Sequence, residues 1–467
     1  MNGNNKQNST TLSDLILNFE DLMEKGRIGT FNKDEFLQLI NFYQSKNDYD
    51  KALEIVDYAI YQHKHIVTFY LVKSNLLLNC HKPKSALKYI EHCENISPYD
   101  YEIKIIKAKA FGMQGRITEA WAILEEMDTM PALNYIVDIN IVKSFIYEYN
   151  HEYDKMFNVL KDTLIIDPQN TEVLRRINLA TLLSKKYEES MEFHKKLVDG
   201  TPYNYMAWYN MGQISTELLN YSEALDYFEY SFLINPEFEE GYLEYTELCI
   251  QVGDYRSAVV VYEEYMEKFE PDEDIYINII DSYLKLGNID KARHYVFKTI
   301  KMDPYNDEAY FLLGKIYSSE EKWSKALNAF FKAIELEDGR EEYYEAVARM
   351  YLKLEDFNKA ETYYDILLGM HTLEVQYYID YINFLIKQHK YDKAYDIITY
   401  SEEIVYSPLF NFFKSIINFK KNNKKVALYQ LDNALAEDYE DYKIIFDIAP
   451  ELQYDKDINS MINYYRS

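Results

Sequence analysis

A small residue returns along this chain at a nearly fixed interval, and that interval governs what the chain can fold into. Ala52, Ala86 and Ala120 are spaced by 34. A step of 36 leads to Met156; steps of 34 then run through Ser190, Ala224, Ala258, Ala292, Ala326, Ala360 and Ala394, and a step of 33 reaches Ala427. Twelve units therefore keep register through most of the 467 residues. A period of this size marks supersecondary units stacked on their neighbours, because no single unit can bury its own apolar face.

Other columns follow the same frame. With Tyr205 as position 1, the small residue falls at position 20. Position 4 carries Phe36, Tyr70, Trp208, Tyr242, Tyr276, Tyr310, Tyr344, Tyr378 and Phe412. Position 11 carries Tyr43, Phe111, Tyr147, Tyr283, Tyr317, Tyr351 and Phe419, and position 17 is aromatic in most units, as at Tyr221, Tyr255 and Trp323. Positions 4, 8 and 11 share one face of a first helix, and 20, 24 and 27 one face of a second. Small residues at 8 (Ser74, Ala108, Gly212, Gly314, Ala348) and at 20 let the two backbones approach, with aromatics filling the remaining space. Gly115, Gly253 and Gly287 at position 15 suit a helix end with positive φ. Pro83 suits a first helical turn; Pro98, Pro168, Pro202, Pro236 and Pro304 close second helices, and Asp100, Asn170, Asn204 and Asn306 stand as N-caps of the next.

These columns resemble the tetratricopeptide repeat (TPR), with its W-x2-L-G-x2-Y, G-x-Y-x2-A-x3-F-x2-A and closing P, over about residues 33–441. Lys104 and Asn140 at position 4, His194 at position 24, and Met156 and Ser190 at position 20 depart from it, so repeats 3 to 5 are expected to pack less regularly. The resemblance implies an all-α, right-handed α-solenoid superhelix of about twelve 34-residue helix-turn-helix units. Such a stack needs caps. The helical pattern within residues 12–32 is expected to cap the N-terminus behind a disordered tail of residues 1–11. Residues 442–467 are expected to supply C-terminal capping helices, from IIFDIAPELQ and DINSMINYY. The irregular step near residues 128–136, around Pro131, is read as a local change of superhelix curvature.

Composition agrees and narrows the function. Gly and Pro number only 13 and 10, against the roughly 12% of an average chain, as fits helices joined by short turns. The net charge of −28 repels nucleic-acid phosphates and anionic lipid surfaces, so neither is an expected partner. No run approaches a membrane span, and MNGNNKQNST lacks the apolar core of a signal peptide. Three cysteines, Cys80, Cys93 and Cys249, suit a reducing compartment, and the cytoplasm is expected.

Chemistry is sparse. No phosphate-cradling glycine loop, HExxH or CxxC occurs. Cys80-His81 and His92-Cys93 resemble metal-ligand pairs, but Cys93 falls at position 27, a buried column where a free thiol is at home. His194, placed near His151 of the neighbouring repeat, is read as a packed core histidine. The acidic pairs Glu263-Glu264 and Glu341-Glu342 are read as solvated faces. No enzyme, cofactor or metal is expected.

What remains is a groove. In TPR proteins the first helices line a concave surface through positions 2, 5, 6, 9, 12 and 13. The carboxylate clamp of TPR co-chaperones finds Arg175 at 5, Leu179 at 9 and Asn210 at 6, but Glu240 and Glu244 stand where it needs cations, so that clamp is not expected. Residues 205–272 hold 15 acidic and 2 basic side chains. Met206, Tyr209, Asn210 and Gln213, then Glu240, Glu244 and Glu247, then Asp274, Asn278 and Asp281 form the candidate groove for a basic peptide or protein segment, with Tyr209 for cation stacking. The expected function is a non-catalytic protein-interaction scaffold. The alternatives are a regulatory peptide receptor and a secretion or envelope-assembly accessory protein.

Overall fold

The structure is a computed structural model that describes residues 12–24, 29–46, 48–128 and 135–466. Among these residues the secondary structure is helical, with no strand. The chain divides into two compact bodies, Met1–Leu248 and Cys249–Ser467. Each is a succession of antiparallel helix pairs at the predicted positions, such as Tyr205–Glu217 with Tyr221–Ile234 in the first and Asp307–Ser319 with Trp323–Leu336 in the second.

The small-residue column is where the two helices of a pair meet. All twelve position-20 residues are at 0% exposure, Met156 and Ser190 included. The approach is tightest at position 8. A Cβ built on Gly212 would lie 2.5 Å from Cε1 of Phe228, and one on Gly314 would collide with the Phe330 ring. Phe228 and Phe330 both occupy position 24, so glycine opposite phenylalanine is one packing solution used in both bodies. The aromatic column at position 4 supplies the filling. Phe36, Tyr242, Tyr276, Tyr378 and Phe412 are buried. Trp208 is instead half-buried, its ring centroid 5.0 Å from that of Tyr230 and its Nε1–H donating to the Pro202 carbonyl at 2.8 Å.

The turn inside each pair is stricter than its residues suggest. Position 15 has positive φ in all eleven repeats where it is described, yet only Gly115, Gly253 and Gly287 are glycine. The other eight are His81, His151, Lys185, Leu219, Glu321, Glu355, His389 and Asn422, with φ between 53° and 63°. The backbone hydrogen bonds explain it. The Asn220 N–H donates to the Ser215 carbonyl at 2.8 Å and the Leu219 N–H to the Thr216 carbonyl at 3.0 Å, which is the Schellman closure of a helix. The same longer bond recurs as Lys82 to Leu77, Asp254 to Cys249 and Lys322 to Tyr317, each 2.8 Å. Between repeats, Asp100, Asn170, Asn204 and Asn306 all cap the next helix through their side chains.

At the N-terminal end, helix Leu12–Glu24 buries Leu15 and Phe19; the Phe19, Phe31 and Phe36 rings pack in series at 5.9 and 5.4 Å. At the C-terminal end the IIFDIAPELQ stretch does not stay one helix. Ile444–Ile448 stops at Ala449, and Pro450–Tyr454 continues as a tight 3-10 turn, because proline supplies no N–H to extend the first ladder. Helix Lys456–Arg466 follows, and its Ile458 and Ile462 join Ile445, Leu431 and Leu435 in the core. The expected tail of residues 1–11 lies outside the described residues, as do residues 129–134 of the irregular step; helices Ile117–Asp128 and Ile136–Tyr149 flank that step.

Within the N-terminal body one bond reaches much farther than a repeat. Lys46 Nζ lies 3.2 Å from Glu237 Oε2 although 191 residues separate them.

Candidate functional site

Repeats 5 to 7 of the N-terminal body build the face on which most of the candidate residues fall. Helix Thr171–Ser184 places Arg175, Leu179 and Leu183 at i, i+4 and i+8, on one side. Helix Glu239–Val252 places Glu240, Glu244 and Glu247 at i, i+4 and i+7. Arg175 Nη2 donates to Glu240 Oε1 at 2.8 Å, passing over the whole of repeat 6. Lys109 Nζ makes the corresponding reach over repeat 4 to Glu172 Oε1 at 2.6 Å. A side chain can bridge alternate repeats only on the side toward which a stack curves, so these bonds identify the inner face.

The candidate residues divide sharply on that face. Met206 and Asn210 are buried at 1% and 0% exposure, so they offer a ligand no surface. The cause is packing between successive first helices: Asn210 Nδ2 donates to the Leu174 carbonyl at 2.9 Å, which turns the helix side carrying positions 2 and 6 into the preceding repeat. Tyr209 and Gln213 are half-buried, and Gln213 Nε2 donates to Tyr209 Oη at 3.1 Å. Tyr209 in turn donates its hydroxyl to Glu244 Oε1 at 3.3 Å. Burial pushes the Glu244 carboxyl above the usual range, and the Glu247 charge pushes the same way, while hydrogen bonds from Gln213 and Tyr209 oppose them. Glu247 is exposed. In the C-terminal body, Asp274 and Asn278 are exposed on helix Glu273–Lys285, and Asp281 lies 3.8 Å from Lys315 Nζ.

Behind the face lies a polar core cluster that the sequence marks only by its breaks in column. His194 is fully buried. Its Nδ1 is 2.8 Å from the Ser190 carbonyl, which can only accept, so Nδ1 carries the proton and Nε2 accepts from Asn210 Nδ2 at 3.2 Å. Ser190 Oγ meets Thr181 Oγ1 at 2.8 Å. Burial holds the imidazole down at about 4, so it is neutral and serves packing. His151 is not its neighbour but an exposed turn residue whose Nδ1 is 2.7 Å from the Tyr153 hydroxyl.

The Cys/His pairs also resolve into packing. Cys93 is buried among Leu78, Ala86 and Ile90, and burial pushes its thiol up to about 11. The His92 ring lies against Tyr70 with centroids 4.5 Å apart.

One polar network in the C-terminal body was not anticipated. Arg349 pairs with Glu345 one turn before it and donates from Nη2 to Asp380 Oδ2 of the next repeat at 2.8 Å. Burial pushes the Glu345 carboxyl up to about 7, against the pull of Arg349 and with the Asp380 charge adding to the rise. The i, i+4 spacing of Glu345 and Arg349 was the available signal; the burial was not visible in it.

With this geometry in hand, residues 277–341 match the family model described as tetratricopeptide repeat. Helix pairs on either side of that segment repeat its spacing, and the resemblance drawn from the columns stands. No curated protein matches the chain. Similar solved structures include YrrB, titled a TPR protein with an unusual peptide-binding site, 16% identical over 38% of this chain and 91% of that one, with a TM-score of 0.32. Yeast Tom70 is 14% identical over 91% and 100%, with a TM-score of 0.35. The Cut9 and Hcn1 hetero-tetramer of the APC/C is 13% identical over 97% and 93%, also at 0.35. No described helix is long and apolar enough to cross a membrane.

Proposed function

We propose that the chain is a non-catalytic protein-interaction scaffold that takes a basic segment of its partner on the inner face of its N-terminal body. Stacked TPR-type pairs favour such a role in general, since they present a long row of side chains on a rigid frame. The observation that carries the specific reading is the Glu240, Glu244, Glu247 row: one carboxylate is met by Arg175, one is half-buried against Tyr209, and the last is exposed. A partner lysine or arginine would answer the desolvated Glu244 charge and relieve the like-charge spacing of Glu240 and Glu244 along the helix. A cytoplasmic setting is part of this proposal, supported by a count of only three cysteines, which fits a reducing compartment.

The test uses labelled peptides of equal length carrying net charges of about +4, 0 and −4, with binding followed by fluorescence anisotropy. The parent should favour the basic peptide, and raising salt well above physiological strength should weaken it. Glu244→Lys with Glu247→Lys should abolish that binding at nearly unchanged melting temperature. The control is the same charge change on the second helix of repeat 6, Glu223→Lys with Glu229→Lys, where both residues are exposed. Equal loss in both double variants would reduce the effect to bulk charge and refute the site.

A further inference from the structure

The acidic row does not stand alone on its face. Leu179 and Leu183 follow Arg175 along the same side of helix Thr171–Ser184, and they are 38% and 41% exposed. Tyr149, at the same repeat position as Leu183 one repeat earlier, is 56% exposed. Arg175 ties this side of repeat 5 directly to Glu240 in repeat 7, so the apolar strip and the carboxylate row belong to one surface. Scattered surface leucines need no explanation, but two of them, one turn apart on the inner face of a stack, form a patch that water covers at a cost.

Resting on the binding reading given above, we infer that the ligand is bipartite: an extended segment that seats an apolar side chain on Leu179 and Leu183 and carries a lysine or arginine to Glu244 and Glu247. The two halves of the surface fix its spacing. Arg175 meets Glu240 across repeat 6, so the facing backbones of repeats 5 and 7 are at most about 15 Å apart, which an extended chain covers in about five residues. Charge selects the basic half. Arg175, one turn before Leu179, is already engaged by Glu240, and Glu247 is exposed. Two separated anchors also set the spacing a ligand needs, because one whose apolar and basic side chains are adjacent cannot reach both at once.

Four labelled peptides decide it: one with a leucine, four serine or glycine residues and a Lys-Arg pair; one with that leucine replaced by serine; one with the Lys-Arg pair replaced by serines; and one in which the leucine adjoins the Lys-Arg pair. The complete peptide should bind at least about tenfold more tightly than any other. Leu179→Ser with Leu183→Ser should erase the advantage of the leucine and keep the preference for the basic pair, whereas Glu244→Gln with Glu247→Gln should do the opposite. If the leucine adds nothing to binding by the parent, the bipartite ligand is wrong while the basic-segment reading stands. If the Lys-Arg pair adds nothing, both are wrong. Equal binding of the spaced peptide and the one whose leucine adjoins the Lys-Arg pair would also overturn the inference.

Discussion

His194 shows at the scale of one residue how a broken column is accommodated. Most repeats place an apolar group at position 24; here an imidazole is held neutral by burial, with each ring nitrogen engaged. The sign of its pH effect follows. The unfolded histidine titrates at 6.5 and the folded one at about 4, so between these values the unfolded chain binds the extra proton and stability falls as pH falls. The displacement is worth about 3 kcal/mol once pH is below both values. In urea unfolding, His194→Phe, which installs the aromatic found at Phe228 and Phe330, should lose less stability than the parent between pH 7 and pH 4.5. Leu219 makes a different point. It adopts φ 61° at 69% exposure, a backbone region that costs a non-glycine residue about 1 kcal/mol or more. Leu219→Gly should therefore raise stability by a few tenths to about 1 kcal/mol, after the larger unfolded-state entropy of glycine is subtracted. A lower melting temperature in that variant would contradict the strain.

A helix pair is the element in which sequence and structure agree most closely, and the reason is steric. Position 20 could be read because only a small or slender side chain fits where two backbones meet, and all twelve such residues are buried. Gly212 can be tested on the same ground. Its missing Cβ would sit 2.5 Å from Phe228, which is itself 1% exposed. Gly212→Ala should destabilise by about 1–2 kcal/mol, the overpacking outweighing the gain in helix propensity. Gly200→Ala, at a helical position with nothing within 4 Å, should be neutral or stabilising. The candidate face was less legible. Helical spacing puts Glu240, Glu244 and Glu247 on one side, but it says nothing about which sides of successive first helices press together. That contact buries Met206 and Asn210. The turns show a similar limit: glycine announced the left-handed position in three repeats, whereas in eight others hydrogen bonding imposes it on side chains that carry no signal.

At the scale of the whole molecule, two buried groups, His194 in the N-terminal body and Glu345 in the C-terminal body, respond to pH in opposite directions. In the C-terminal body Glu345 is raised from 4.5 to about 7, so between these values the folded chain holds the proton and this residue's contribution falls as pH rises. Glu345→Gln should thus gain on the parent in urea unfolding as pH moves from 5 to 8, while His194→Phe gains in the acid direction. A Glu345→Gln difference that stays constant over that range would show that the carboxyl titrates normally. The bond between Lys46 and Glu237 has a consequence in time. Closing an unstructured loop of 191 residues costs about 4–5 kcal/mol, and an exposed ion pair returns about 0.2–1. That bond cannot draw the chain together. It forms only after the repeats between have stacked through their own local contacts, so meeting of the two side chains marks completion of the N-terminal body, and their parting is among the first events of its opening.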